Sequence, residues 1–248
     1  MIVLTIIKLM KWNKLYKYPK STRSLINNAR HYSIEQDGHN GFKLPSVTTI
    51  LSATQPAEKR ESLANWRKRE GAEKAQRIMD QAAARGTAMH KILEGYVEGK
   101  NVVDMTPVGE QATPMAKKII EDGLNNRLDE IWGSEVTVHY PGLYAGATDL
   151  VGIYEKKPSI MDFKQSNKPK RVEWISDYFM QLGAYAMAHN FVYGTKIEQG
   201  VILMCTPDNY FQKFVVNGQQ FVAFQHQFLA RVDQYYKIQK MEEGNYLP

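Results

Sequence analysis

The residues of this sequence that could do chemistry are concentrated in positions 146–185, GATDLVGIYEKKPSIMDFKQSNKPKRVEWISDYFMQLGAY, which hold Asp149, Asp162, Lys164 and the pair Gln181/Tyr185. Residues 145–154 alternate like a strand, the KKPS run reads as a hairpin connection, and residues 159–164 read as a second strand. Two positions apart on one strand, Asp162 and Lys164 leave the same face, roughly 6.5–7 Å apart along the chain. Asp149, on the partner strand, can then lie across from Asp162. Two carboxylates facing each other beside a lysine repel and desolvate badly unless a divalent cation sits between them, which is how oxygen-ligand Mg²⁺ sites are built. The chemistry expected is that of a metal site with a lysine beside it.

The elements that must position these groups follow from pattern and punctuation. Residues 31–35 and 42–44 flank the turn sequence DGHNG and predict a small hairpin. Ser46 is placed as the N-cap of a short helix over 47–52. Residues 57–70 form a charged helical stretch in which Trp66 stands among Arg67, Lys68 and Arg69. Such a Trp can stack on an exposed base, or it can anchor a charged surface helix. The longest helical run, 73–99, contains ARGTAMHKILEGY. Gly86 and His90 are four apart and share a face with Glu94, and glycine there costs about 1 kcal/mol relative to alanine. By itself His90 reads as an ordinary surface or satisfied core histidine. A break over 101–107 leads to a helix over 112–131 with Pro114 in its first turn. Residues 135–140 predict a strand leading into the central hairpin. Two more strands, 197–205 and 210–216, flank the turn TPDN, and 219–243 closes the chain as a helix.

The 248 residues, 43% hydrophobic, are enough for one compact catalytic unit over residues 35–248. Within it, 35–132 is the hairpin and helical region and 133–248 the core. The single cysteine, Cys205, excludes an internal disulfide and a cysteine-based zinc site and fits a reducing compartment, here the cytoplasm. No run of about 18 apolar residues exists, so no membrane span is expected. Lys8, Lys11, Lys14, Lys17, Lys20, Arg23 and Arg30 lie in residues 1–34 without one acid, whereas the rest of the chain carries 25 basic and 26 acidic residues. The basicity therefore belongs to an N-terminal arm. A polyanion such as nucleic acid is its natural partner. A mitochondrial targeting peptide, or a merely solvated terminus, has the same composition.

An acid near a strand end, D-x-K on the next strand, Q-x-x-x-Y in the following helix and G-x-x-x-H in a helix upstream resemble the RecB-like branch of the PD-(D/E)XK nuclease superfamily. The matching positions are Asp149, Asp162/Lys164, Gln181/Tyr185 and Gly86/His90. LPSVTTILSATQPAEKRESLANWRKR, RGTAMH, and DFKQSNKPK running into QLGAYAMAHN are similar more closely to the mitochondrial genome maintenance exonucleases and their bacteriophage relatives, over roughly residues 42–240. Thr148 replaces the superfamily's proline before the first acid. The resemblance implies an α/β fold with a central mixed sheet of about five strands flanked by helices, the N-terminal helical region covering the active site.

The same resemblance implies that Asp149, Asp162, the Phe163 backbone carbonyl and His90 hold Mg²⁺, for which Mn²⁺ substitutes. Lys164 then positions the attacking water, Glu135 completes the metal shell or acts through water, and Gln181 and Tyr185 orient Lys164 or a phosphate oxygen. Helix-to-sheet packing is the other reading of that last pair. Arg85, Lys168, Lys170 and Arg171 join Trp66, Arg67, Lys68 and Arg69 as candidate DNA contacts. The implied activity is that of a monomeric metal-dependent exonuclease on single-stranded DNA ends or flaps, working beside replication or recombination proteins. An endonuclease of the same fold on duplex or branched DNA, and a DNA-binding protein without catalysis, stay open.

Overall fold

In the computed structural model of the chain, residues 10–36 and 39–242 are described; Lys8 of the basic segment, Asp37 and Gly38 of the expected turn, and Glu243 lie outside them. Eight strands and six α-helices follow in the order β1 (Ser21–Ile26), β2 (Ala29–Gln36), β3 (His39–Pro45), α1 (Val47–Ala53), α2 (Ala57–Glu70), α3 (Ala72–Val97), α4 (Pro107–Ile119), β4 (Leu128–Tyr140), β5 (Tyr144–Tyr154), β6 (Lys157–Gln165), α5 (Ser176–Tyr193), β7 (Gln199–Cys205), β8 (Phe211–Asn217) and α6 (Gly218–Glu242).

The main sheet has the order β4-β5-β6-β7-β8. All neighbours are antiparallel except β6 and β7, which run parallel with α5 as the crossover between them. Strand β7, QGVILMC, is buried throughout. Ile202 and Met204 enter one apolar cluster, Val201, Leu203 and Cys205 the other, as period-2 alternation demands of a central strand covered on both faces. The first cluster packs α1, α5 and α6 on one face of the sheet, and the second packs α3 and α4 on the other. This mixed five-stranded sheet between helices is the expected fold class.

Two elements depart from the sequence reading between residues 106 and 134. Helix α4 begins at Pro107, where Thr106 caps it by accepting the Gly109 N–H at 3.1 Å, so Pro114 lies inside the helix and not in its first turn. The helix passes through a π-helical turn, Ile120–Leu124, and β4 starts at Leu128, within the stretch expected to be helical to residue 131. Irregularities between Leu128 and Glu130 and between Ile131 and Gly133 break the alternation that would have announced this strand.

The basic N-terminal segment lies along the body from Met10 onward. Trp12 bridges to Ile131, and the Tyr18 hydroxyl meets His189 Nε2 at 3.0 Å within a ring cluster that includes Tyr16, Trp132 and Tyr193. Lys11, Lys14, Lys17 and Lys20 face outward. Strands β1 to β3 form a separate antiparallel sheet docked on Ala145 of β5 through Tyr32, Ile34 and Leu44.

Candidate active site

Asp162 and Lys164 share a face of β6, as their spacing requires, and Lys164 Nζ lies 2.5 Å from Asp162 Oδ2. The lysine is held from two further sides. Gln181 Oε1, on α5, accepts from Nζ at 3.3 Å, and the Tyr178 ring lies beneath the ammonium with its centroid 5.1 Å away. Gln181 Nε2 in turn donates to the Tyr185 hydroxyl at 3.0 Å, so two turns of α5 present a tyrosine and a glutamine to the cation and a second tyrosine to the glutamine. Tyr178 was missed from the sequence. Its signal was the i, i+3 spacing to Gln181, which puts it on the same helix face.

Asp149 sits where the β5–β6 ladder stops, Leu150↔Met161 being its last pair at this end. The carboxylate takes over the work of the backbone: Asp149 Oδ2 accepts the Phe163 N–H at 2.6 Å. Its other oxygen faces His90 Nδ1 at 3.4 Å, which brings α3 to the sheet. Glu135 enters from β4, where it stands between the pairs Ser134↔Leu150 and Val136↔Thr148 and hence across from Asp149. Its φ of 51° is left-handed, an unfavourable conformation for a residue with a side chain, and such strain clusters at functional sites.

The electrostatics follow from burial and crowding. Burial, with the Asp149 charge added, lifts Glu135 to about 7. Burial and Asp149 likewise lift Asp162 to about 6 against the pull of Lys164. Burial would lower His90, but Asp149 outweighs it and holds the imidazole up at about 9. Burial would also raise Asp149, yet His90, Lys164 and the Phe163 N–H together hold it below the usual carboxylate range. Three acids crowded on one floor thus draw in positive charge from a histidine and a lysine.

The donor set fits a hard divalent cation. His90, Glu135 and Asp149 each offer a ligand atom, and the three atoms lie within 4.8 Å of one another. Asp162, 3% exposed, has in Oδ2 a buried oxygen whose contact with Lys164 is an ion pair without hydrogen-bond geometry. An imidazole and carboxylate oxygens suit Mg²⁺ or Mn²⁺ better than a thiolate-seeking metal. The group that converges is therefore His90, Glu135 and Asp149, while Asp162 is turned toward Lys164.

His90, Glu135, Asp149, Asp162, Lys164, Gln181 and Tyr185, with Gly86, line one cleft of about 490 Å³. A Cβ on Gly86 would meet Gln165 at 3.4 Å, which is contact and not collision, so the missing side chain mainly leaves the cleft open. Arg85 points away from solvent at 8% exposure and donates to Gln165 Oε1 at 2.9 Å, to Gln111 Oε1 at 3.3 Å and to Asn167 Oδ1. It ties the chain leaving β6 to α3 and α4. Lys168 and Arg171 are exposed on that chain, and Lys170 is fixed there by main-chain bonds to Gln212. Arg171 lies over the exposed ring of Trp174, centroid distance 5.4 Å, an aromatic platform also missed from the sequence. Trp66 and Arg69 line a second groove, about 790 Å³, along α2, with Arg67 and Lys68 exposed beside it.

No family model matches the chain. Among curated proteins it is 27% identical to mitochondrial genome maintenance exonuclease 1 of Xenopus tropicalis over 81% of this chain and 59% of that protein, and 28% identical to the Mus musculus protein over 66% and 50%. The chain thus spans between half and three-fifths of the length of these relatives. A solved structure from Eubacterium rectale, described as an exonuclease, overlaps with a TM-score of 0.48 at 14% identity, covering 68% of this chain and 70% of that one; an overlap of that size adds nothing to the chemistry. The chain is similar over most of its length to the mitochondrial genome maintenance exonucleases, and its mixed five-stranded sheet between helices is the architecture expected of a PD-(D/E)XK-like core.

Proposed function

We propose that this chain is a divalent-metal-dependent deoxyribonuclease that removes nucleotides from single-stranded DNA with a free end or flap. The observation that carries this reading is the convergence, in one cleft, of the acids Glu135, Asp149 and Asp162 with His90 and with Lys164, a lysine held on three sides. His90, Glu135, Asp149 and Asp162, with the Phe163 carbonyl, would hold Mg²⁺ or Mn²⁺. When bound, the ion supplies acidified water and neutralises charge at the phosphate. The chain's own residues do the rest. Lys164, kept as an ammonium by Asp162, Asp149 and the Tyr178 ring, positions the water and faces the charge that grows on the phosphate oxygens. Gln181, itself fixed by Tyr185, limits where that ammonium can go.

Preference for a single strand draws on helix α2. None of its residues is buried, and Lys59 near its start pairs with Asp177 at 2.8 Å, beside the 3₁₀ turn that carries Trp174. A helix touching the body so lightly leaves its basic side chains and Trp66 free to meet a strand. Arg67, Lys68, Arg69, Lys168, Lys170 and Arg171 would follow the phosphates there, Trp66 would stack on a base, and Arg85 would support the loop from behind. A cytoplasmic place of action, a monomeric state and work beside replication or recombination proteins complete the reading.

The test uses end-labelled linear single strands, blunt duplex and a covalently closed single-stranded circle, each with Mg²⁺ and with EDTA. Linear strands are expected to shorten only with the metal, while duplex and circle survive. Asp162→Asn and Lys164→Ala should abolish cutting and leave DNA binding and Tm largely intact. Either variant cutting at the parent rate refutes the assigned centre, and rapid cutting of the circle moves the reading to an endonuclease.

A further inference from the structure

The wall of the cleft opposite α3 comes from the N-terminal sheet, and it is basic. Arg23 on β1 stands across from Tyr32 on β2, and Leu25 across from Arg30, so Arg23, Arg30 and Tyr32 leave one face of the small sheet. At one end that face is core: Tyr32, 2% exposed, packs with Ile34, Leu44 and Ala145. At the other end it runs out past β5, and there Arg23 and Arg30 line the same cleft as Asp149 and Lys164.

Both arginines are held yet uncommitted. The Arg23 guanidinium lies 5.5 Å over the Tyr32 ring. The Arg30 main chain is stitched to α1, its N–H donating to Thr49 Oγ1 at 3.0 Å and its carbonyl accepting from Thr49 Oγ1 at 3.0 Å and from the Ser46 N–H at 2.9 Å. Among the described residues neither guanidinium is in an ion pair, whereas Lys164 is already engaged by Asp162. An anionic strand approaching a floor of three acids is repelled unless cations line its path. A guanidinium, with donors in a rigid fork, suits a phosphodiester's paired oxygens.

We infer that Arg23 and Arg30 form a phosphate-holding wall, taking a phosphodiester group of the bound strand next to the one that reacts. This rests on the nuclease reading and adds to it a subsite built by the N-terminal sheet, in which the basic segment acts through two fixed side chains.

The experiment measures binding of a fluorescent oligothymidylate by anisotropy in EDTA, across a salt series, for the parent, Arg23→Gln, Arg30→Gln and the double variant. Losing that one phosphate contact should flatten the slope of log K against log salt by about 0.7 in the double variant, and by a part of that in each single variant. Arg23→Lys with Arg30→Lys should keep the parent slope. Placing one neutral methylphosphonate linkage beside the reacting phosphate should weaken the parent and leave the double variant unaffected. If Arg23→Gln disturbs Tyr32 and lowers Tm, Arg30→Gln alone decides, because its side chain makes no hydrogen bond among the described residues. A parent slope in the Gln variants, with the methylphosphonate still felt, overturns the wall. A parent that neither binds nor cuts DNA with Mg²⁺ sinks the nuclease reading itself, whereas a parent that cuts beside variants of unchanged slope sinks only the wall.

Discussion

Gly146→Ala tests whether the lysine is positioned through α5. A Cβ built on Gly146 would lie 2.5 Å from Tyr185 Cε1 and 3.0 Å from its hydroxyl oxygen, about 1 Å inside the usual carbon–carbon contact distance. Tyr185 is 3% exposed, and the space open to it is the cleft, so the ring must swing there and carry its hydroxyl from Gln181. Overpacking costs about 1–3 kcal/mol, offset by about 0.4–1 kcal/mol because alanine restricts the unfolded chain. The net loss is about 1–2 kcal/mol, or a Tm lower by about 2–8 °C in a chain of this size. Displacing Lys164 by about 1 Å can cost on the order of 10²-fold in turnover. Urea denaturation and single-turnover cleavage read the two effects separately. With Tyr185→Phe the ring remains, so the stability cost of Gly146→Ala should persist. With Tyr185→Leu the colliding atoms are gone, so that cost should vanish while activity stays low. A Gly146→Ala protein with parent Tm and parent turnover refutes the argument that this glycine makes room for the tyrosine.

His189 is fully buried, its ring nitrogens meeting Tyr18 and Thr195, and burial pushes it down to about 4. Its folded value lies below the unfolded value near 6.5, so its contribution is complete above pH 6.5. That contribution shrinks as pH falls toward 4, where only the unfolded chain takes the proton, by about 3 kcal/mol in all. The difference in urea stability between parent and His189→Gln should narrow by that amount across the window, and a constant difference would contradict it. Arg85→Met removes a buried cation whose partners are all amide oxygens, and should cost about 1.5–3 kcal/mol and speed hydrogen exchange over residues 166–171. Unchanged exchange there would mean that Arg85 does not anchor the loop.

Much of the centre was legible because its spacings are local. The D-x-K pair shows itself through strand period, the Gln181/Tyr185 pair through helix period, and both were found where those periods place them. The β4 boundary was hidden by its own irregularities, since a strand with two register shifts in six residues has neither period. The basic arm was read from composition, which counts charges but cannot say that Trp12, Tyr16 and Tyr18 face inward between lysines facing out. Arg85 was placed among DNA contacts for its charge, whereas its engagement with Gln111, Gln165 and Asn167 joins residues up to 82 positions apart that no local pattern connects. Arg23 and Arg30 were read only as charges of that arm for the same reason: their place on the cleft of Asp149 depends on how one sheet docks on another.

One of the places where the chain breaks its own regularity is where the acids meet. Strands β5 and β6 pair regularly toward Tyr154, and near the cleft two rules fail at once: Glu135 takes a positive φ, and the Asp149 side chain replaces the backbone as partner of the Phe163 N–H. Both departures are unfavourable alone, of the order of 1–3 kcal/mol for the strained residue. They are held by what surrounds them, since Ile131, Leu150 and Met161 are fully buried and the Tyr144 hydroxyl is fixed to the Ala184 carbonyl. A sheet that stayed regular would keep Asp149 in ladder register and point Glu135 along the ordinary alternation. Parting the ladder there lets carboxylates from β4 and β5 face His90 while the next acid, on β6, stays with its lysine. The convergence of Glu135 and Asp149 on His90, beside the Asp162–Lys164 pair, is thus made by a local failure of strand pairing.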